Sequence, residues 1–261
     1  MTKYYGQNGE DFLLDQIFKN KKDGFYVEIG CLDGIEFSNT YYFEKQGWKG
    51  LCVEAHQDFI EQLKKNRKGA QIVHCAVGEK DIEQVTFYAN KIGSLSTLDK
   101  QEEARWEKNY KEFFTGFEEQ KVKMQTLTTI FNEQNVPQID FVSLDIEGYE
   151  VKALSGLDLK KYRPRVFVIE YKDEDHKKGI EEILFPAGYK YLGQISCNIF
   201  YSIEANDADI IKKDYGKLNV IILDKDGNEQ VNEVNLSQPS LSDKVKFKIN
   251  KLKTRVANFF K

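Results

Sequence analysis

Four short stretches of this chain carry residues whose types and spacing could do chemistry. The first is Glu28-Ile29-Gly30-Cys31-Leu32-Asp33-Gly34, where a carboxylate and two glycines close the apolar run that begins at Phe25. A glycine has no Cβ, so the backbone at Gly30 and Gly34 can turn sharply and come close to a ligand. The second is Leu51-Cys52-Val53-Glu54, whose acid falls 20 residues beyond Gly34. An acid at a strand end in that position can accept hydrogen bonds from ribose hydroxyls, although many such acids only cap a helix. The third is Asp145-Ile146-Glu147-Gly148-Tyr149-Glu150, three carboxylates within six positions after the apolar run from Ile139. The fourth is Arg165-Val166-Phe167-Val168-Ile169-Glu170, again an apolar run ending in an acid.

The spacing Glu-x-Gly-x-x-x-Gly departs from the Gly-x-Gly-x-x-Gly of dinucleotide-binding turns. A carboxylate facing the crevice repels a pyrophosphate and attracts the sulfonium and ammonium of S-adenosylmethionine. That donor is therefore the expected cofactor, with Gln7, Glu28, Gly30, Gly34, Ser38, Glu54, Ala76 and Asp145 as its candidate binding residues. Ala76 is small enough to leave room for an adenine ring. Ser38 sits where the first amides of a helix are free to meet the donor's carboxylate. Methyl transfer to a hydroxyl, which the family resemblance given below implies, needs a base, for which Asp145 comes first and Glu170 second, with Glu147 as an orienting group. Acids on neighbouring strand ends could also hold Mg²⁺, but their spacing does not define an octahedral site, so no metal ligand is assigned.

The elements that must position these groups follow from periodicity. Phe25–Ile29, 51–54, 72–78, 139–145 and 165–170 read as buried strands, with helices expected over 36–45, 59–65 and 149–157. Residues 189–192 and 198–203 are joined by a short link and read as an antiparallel hairpin. Strands alternating with crossover helices predict a mostly parallel α/β sheet of seven strands ending in that hairpin. Gln7 to Phe18 opens the chain as a lid helix in which Gln7 and Asp11 either face the pocket or merely cover the sheet edge. Residues 85–88 and 121–125 read as additional strands. Gly93 to Thr97 is a loop, and Glu102 to Phe114 an aromatic helix that either covers an acceptor or packs on the sheet. His74 reads as a satisfied core or edge histidine, and His176 as a solvated loop residue in preference to a base.

Composition bounds the rest. The 261 residues carry a net charge of −4, and only five of the 38 basic residues are arginine, which disfavours a nucleic-acid reader. Cys31, Cys52, Cys75 and Cys197 form no Cys-x-x-Cys pair and read as reduced, buried thiols. With no signal core or membrane-length run, a cytoplasmic protein is expected. Residues 1–204 form one domain, and 205–261 an extension made of a β-hairpin and a basic amphipathic helix. The stripe Leu241, Val245, Ile249, Leu252, Val256 could meet a membrane surface, a glycosyltransferase partner or its own domain.

Taken together, Gln7-Asn8-Gly9-Glu10-Asp11, the Val27–Gly34 turn, Gly47-Trp48-Lys49-Gly50 with Glu54, Ala76-Val77-Gly78 and Asp145-Ile146-Glu147-Gly148-Tyr149-Glu150 resemble the FkbM-type family of S-adenosylmethionine-dependent methyltransferases. The last stretch, similar to the family's Asp-x-Glu-Gly-x-Glu signature, is the most specific. The resemblance spans about residues 5–203 and departs at Gly6 and Thr128, where the family usually carries serine and often aspartate. It implies the class I methyltransferase fold and methyl transfer to an oxygen, often a sugar or glycan hydroxyl. Two rival classes are an NAD-dependent oxidoreductase, which would want a third glycine, and a non-catalytic partner of a glycan-assembly enzyme.

Overall fold

The computed structural model describes residues 4–109, 114–213, 218–223 and 229–234. In chain order the elements are α1 (Glu10–Ile17), β1 (Phe25–Ile29), α2 (Tyr41–Lys45), β2 (Lys49–Glu54), α3 (Ile60–Asn66), β3 (Ala70–His74), β4 (Ala76–Val77) and β5 (Ile82–Ala89). They continue with α4 (Glu102–Asn109), β6 (Glu118–Gln125), α5 (Leu127–Glu133), β7 (Phe141–Leu144), α6 (Glu150–Ser155), β8 (Val166–Glu170) and α7 (Glu174–Leu184). The last are β9 (Lys190–Ile195), β10 (Asn198–Ser202), α8 (Asp207–Lys213), β11 (Leu218–Leu223) and β12 (Glu229–Val234).

Seven strands form one sheet in the order β3-β2-β1-β7-β8-β10-β9. The first five pair in parallel, and β10 and β9 add an antiparallel end. This is the mixed α/β sheet that the strand–helix alternation predicts. The order reverses between β1 and β7, the switch point where open sheets of this kind leave a crevice beyond their carboxyl ends. Alternation along each strand divides the core between two faces. Val27, Ile29, Val142 and Ile169 pack toward Ile130, Leu154 and Ile180, whereas Tyr26, Phe141 and Val168 pack toward Leu13, Phe43 and Leu63. Each such fully buried side chain contributes about 1.5–3 kcal/mol relative to exposure.

Three boundaries differ from the sequence expectation. The first crossover helix starts at Tyr41, not near residue 36, because the Asp33 carboxylate accepts the N–H groups of Ile35 and Glu36. A side chain that takes those amides competes with the helix, and Phe37 then has a positive φ of 59° and bridges to Gly6. The third strand ends at His74. Ala76–Val77 leaves the main sheet to pair with β6, giving a separate sheet in the order β4-β6-β5. Past residue 204, α8 was not foreseen. Its buried Asp207 accepts hydrogen bonds from Arg165 and Ser202.

Strands β11 and β12 pair antiparallel, as the two apolar runs in the tail suggest. The turn between them and the basic stripe from Leu241 lie outside the described residues. No helix among the described residues is long and apolar enough to cross a membrane.

Candidate active site

Above the switch point a cleft open to solvent spans about 610 Å³, with Gly30, Glu54, Ala76, Asp145 and Glu147 among its lining residues. Strand ends supply its polar groups. Glu54, at the end of β2, is buried and accepts the Leu32 N–H at 2.6 Å and the His56 N–H at 2.7 Å. A carboxylate has about four lone-pair sites, so both oxygens keep capacity for ribose hydroxyls. Apolar walls from Ala55, Ala76, Val77, Phe87 and Leu98 suit a flat heterocycle. Gly30 has φ of 85°, and a Cβ there would lie 1.9 Å from the Asp145 carbonyl oxygen. Only glycine lets β1 and β7 close up beneath the cleft.

The turn after β7 is shaped by Glu150, an acid outside the sequence-derived site set. Its fully buried carboxylate accepts N–H groups from Ile146 at 2.8 Å and Gly148 at 3.0 Å. Those bonds stabilise the positive φ angles of Glu147 (56°) and Gly148 (102°), a conformation costly for a residue such as glutamate. Asp145 and Glu147 are thereby held at the cleft. The loop 93–98 closes the far side, where Thr97 Oγ1 donates to the Glu147 carbonyl at 3.4 Å.

The cleft brings together Gly30, Glu54, Ala76, Asp145 and Glu147, but not all of the anticipated donor site. Glu28 is the main correction. By strand alternation it shares the face of Tyr26, not that of Val27 and Ile29, and its carboxylate is taken by Arg67, Ser38 and Thr40. Arg67 is fully buried and also meets Glu44 and the Gly34 carbonyl. Burial alone would lower its pKa, but the surrounding anions raise it, so the cation is permanent. Glu28 therefore lends no negative charge to the cleft; Glu54, Asp145 and Glu147 do. Ser38 serves this buried network, and Gly34 packs against Arg67 and Leu63. Gln7 does not line the cleft, and Asp11 is fully buried at the start of α1, its pKa pushed up by burial to about 7. Side-chain atoms of Glu28, Cys31 and Cys52 approach within 4.8 Å, but Arg67 occupies the acid and burial raises the Cys31 thiol. All four cysteines are buried.

A second, smaller cavity adjoins the first at Glu147 and includes Glu150, Glu170, Lys172 and His176. Oxygens of Asp145, Glu150 and Glu170 lie within 4.8 Å of one another, so the carboxylates that end β7 and β8 do share one rim. Glu102 on α4 forms the outer wall, paired with Lys172 at 2.7 Å and Arg105 at 2.9 Å. Despite its burial, these cations hold the Glu102 carboxyl below its ordinary range. His176 is buried in α7, not solvated as expected, while His74 is an edge residue bonded to the Ala55 carbonyl. Arg67 escapes a sequence reading because Glu28 and Glu44 are 39 and 23 positions away, and the burial of His176 because it depends on packing against Glu150 of another helix. The one local hint was Glu150, which is in the acid-rich motif.

A family model described as the methyltransferase FkbM domain matches residues 23–191, well over half of the chain. The chain belongs to the FkbM methyltransferase family. Its dependence on S-adenosylmethionine follows from that membership, and the cleft's acids, apolar walls and glycine turn fit the donor. No curated protein matches the methyltransferase in sequence. Among solved structures it is similar to the precorrin-6y C5,15-methyltransferase of Geobacter metallireducens, at 10% identity and a TM-score of 0.41 over 86% of this chain and 82% of that one. It is also similar to an O-methyltransferase of Bacillus cereus, at 13% identity and 0.41 over 74% and 78%. A third is the METTL16 methyltransferase domain, at 16% and 0.46 over 76% and 67%.

Proposed function

We propose that this methyltransferase transfers the methyl group to a hydroxyl oxygen of a sugar or glycan, with Asp145 as the base. The supporting observation is the position of Asp145. It lines the donor cleft, and one of its oxygens lies within 4.8 Å of the Glu150 and Glu170 carboxylates of the neighbouring cavity. S-adenosylmethionine supplies an activated methyl, so the chain's own tasks are orientation and proton removal. Holding the acceptor oxygen roughly 3 Å from its target contributes up to about 7–11 kcal/mol through proximity. Sugar hydroxyls are weak nucleophiles, and a positioned carboxylate that takes the proton adds about 10²–10⁴-fold. Glu170 then orients the acceptor, and Glu147 the end of the cleft where positive charge is held.

Incubation with the donor and a panel of glycosides, followed by mass spectrometry, tests this reading. The expected result is a mass gain of one CH₂ on a hydroxyl-bearing acceptor. Asp145→Asn should lower kcat by about 10²–10⁴-fold, far more than it weakens donor binding in calorimetry. Methylation at nitrogen or carbon only, or an Asn variant of undiminished kcat, would reject it.

A further inference from the structure

His176 is 8% exposed and takes no part in the chemistry just described, yet it faces the second cavity. Its main-chain N–H is held by the Asp173 carboxylate, the N-cap of α7, at 2.8 Å. Its Nδ1 accepts the Lys172 N–H at 3.2 Å. A neutral imidazole that accepts at Nδ1 carries its proton on Nε2, so Nε2 is a donor. That donor sits 3.2 Å from Glu150 Oε2 but makes no aligned hydrogen bond. Glu150 is committed to the Ile146 and Gly148 amides. A buried N–H without an aligned partner is costly, and one directed into a polar cavity is poised for a ligand.

A donor beside carboxylate acceptors is complementary to a hydroxyl, which accepts one hydrogen bond and donates another. Neighbouring hydroxyls on a sugar ring lie about one hydrogen-bond length apart. Asp145 and Glu170, with oxygens within 4.8 Å, can each address one of such a pair. We infer that the second cavity is a subsite for a hydroxyl next to the one methylated, so that the acceptor is a vicinal diol. The Nε2–H of His176 donates to that second hydroxyl, and Glu170 accepts its proton. The inference deepens the hydroxyl reading above and depends on it. Metal ligation by His176 is disfavoured, because the Lys172 N–H on Nδ1 leaves Nε2 without a lone pair. The Lys172 and Arg105 cations at the cavity wall are both engaged by Glu102, which favours an uncharged acceptor end over a phosphorylated one.

The test uses the full chain with ¹⁵N-labelled imidazoles, saturated with S-adenosylhomocysteine and titrated with methyl gluco-, galacto- and mannopyranosides. His176 should show the Nε2–H tautomer, and its Nε2 signal should move with at least one glycoside. With a glycoside that is methylated, His176→Phe should raise the acceptor KM about tenfold, the worth of one lost hydrogen bond. The donor KM should hold, and His176→Gln, which keeps an N–H donor, should recover part of the loss. The analogue lacking the neighbouring hydroxyl should show a much smaller KM ratio between wild type and His176→Phe. An Nδ1–H tautomer, a signal indifferent to every glycoside, or equal losses with the diol and its deoxy analogue would overturn the inference. Unchanged turnover in Asp145→Asn would instead remove the base assignment and leave the His176 result readable.

Discussion

Deleting the Arg67 side chain would leave Glu28 and Glu44 buried without a cation, beside a Tyr26 ring over which the guanidinium stacks at 5.1 Å. Removing one partner of a buried pair costs about 3–5 kcal/mol, so Arg67→Met should lose that much in urea unfolding. Arg67→Lys should fall between, since one ammonium cannot replace a fork that meets Glu28, Glu44, Thr40 and the Gly34 carbonyl. Glu54 gives a different signature. Glu54→Gln replaces one acceptor oxygen with a donor opposite a main-chain N–H, at Leu32 or His56. Donor affinity should fall about tenfold or more in calorimetry, as expected for a hydrogen bond to a charged group. Neither Glu28 nor Glu54 announces its role alone: both are acids near the end of an apolar strand. They differ in height along the sheet: Glu28 pairs with Cys52, two residues short of Glu54, and so lies below the carboxyl rim where the cleft opens.

Among the elements, α4 is tied to the end of β8 through Glu102, which pairs with Lys172 just beyond that strand. The pair is partly exposed, so its stability contribution is small, about 0–1 kcal/mol. Its effect belongs to position. Lys172→Met should leave the melting temperature nearly unchanged, speed amide exchange over 95–108 and raise the acceptor KM. Unaltered exchange there would show that the Leu95, Trp106 and Phe114 cluster holds α4 by itself. The aromatic spacing from Trp106 to Phe114 predicts a helix with one apolar side, which the structure describes over Glu102–Asn109 with Phe114 outside it, but not whether that side covers an acceptor or its own loop. Trp106 is in fact shared, packing with Phe114 and Phe117 while lining the second cavity. The helix expected from residue 36 failed for a local reason, the Asp33 carboxylate, which a reading of apolar period does not weigh.

Over the whole molecule, buried acids give the stability a pH profile with two flanks. Burial raises the carboxyls of Glu44 and Glu102, but their cations outweigh it and hold both below the ordinary 4.5. Their contribution is complete above 4.5 and is lost as pH falls through the lower folded values. Glu44→Gln should therefore show a shallower drop in melting temperature below 4.5 than the wild type. Asp11 works in the opposite direction. Burial raises its carboxyl from 3.8 to about 7, so the folded state keeps a proton that the unfolded chain has released. Stability is lost as pH rises from about 3.8 to about 7, and carbon-13 spectra should show Asp11 titrating near the upper value. Calorimetric scans across both windows test the two signs.

From the sequence alone came the parallel sheet with its antiparallel end, the glycine turn after β1, and the acids that end β2, β7 and β8. These depend on local rules: side-chain period, the conformational freedom of Gly30, and the way an apolar run stops at a charge. Tertiary structure alone decided which acids face the cleft, because Glu28 is claimed by Arg67, a residue 39 positions away on the far end of α3. It alone brought Glu150 and His176 to the rim, through pairing between α6 and α7 that no periodicity encodes. A charge in a sequence has no direction; burial and the nearest opposite charge give it one.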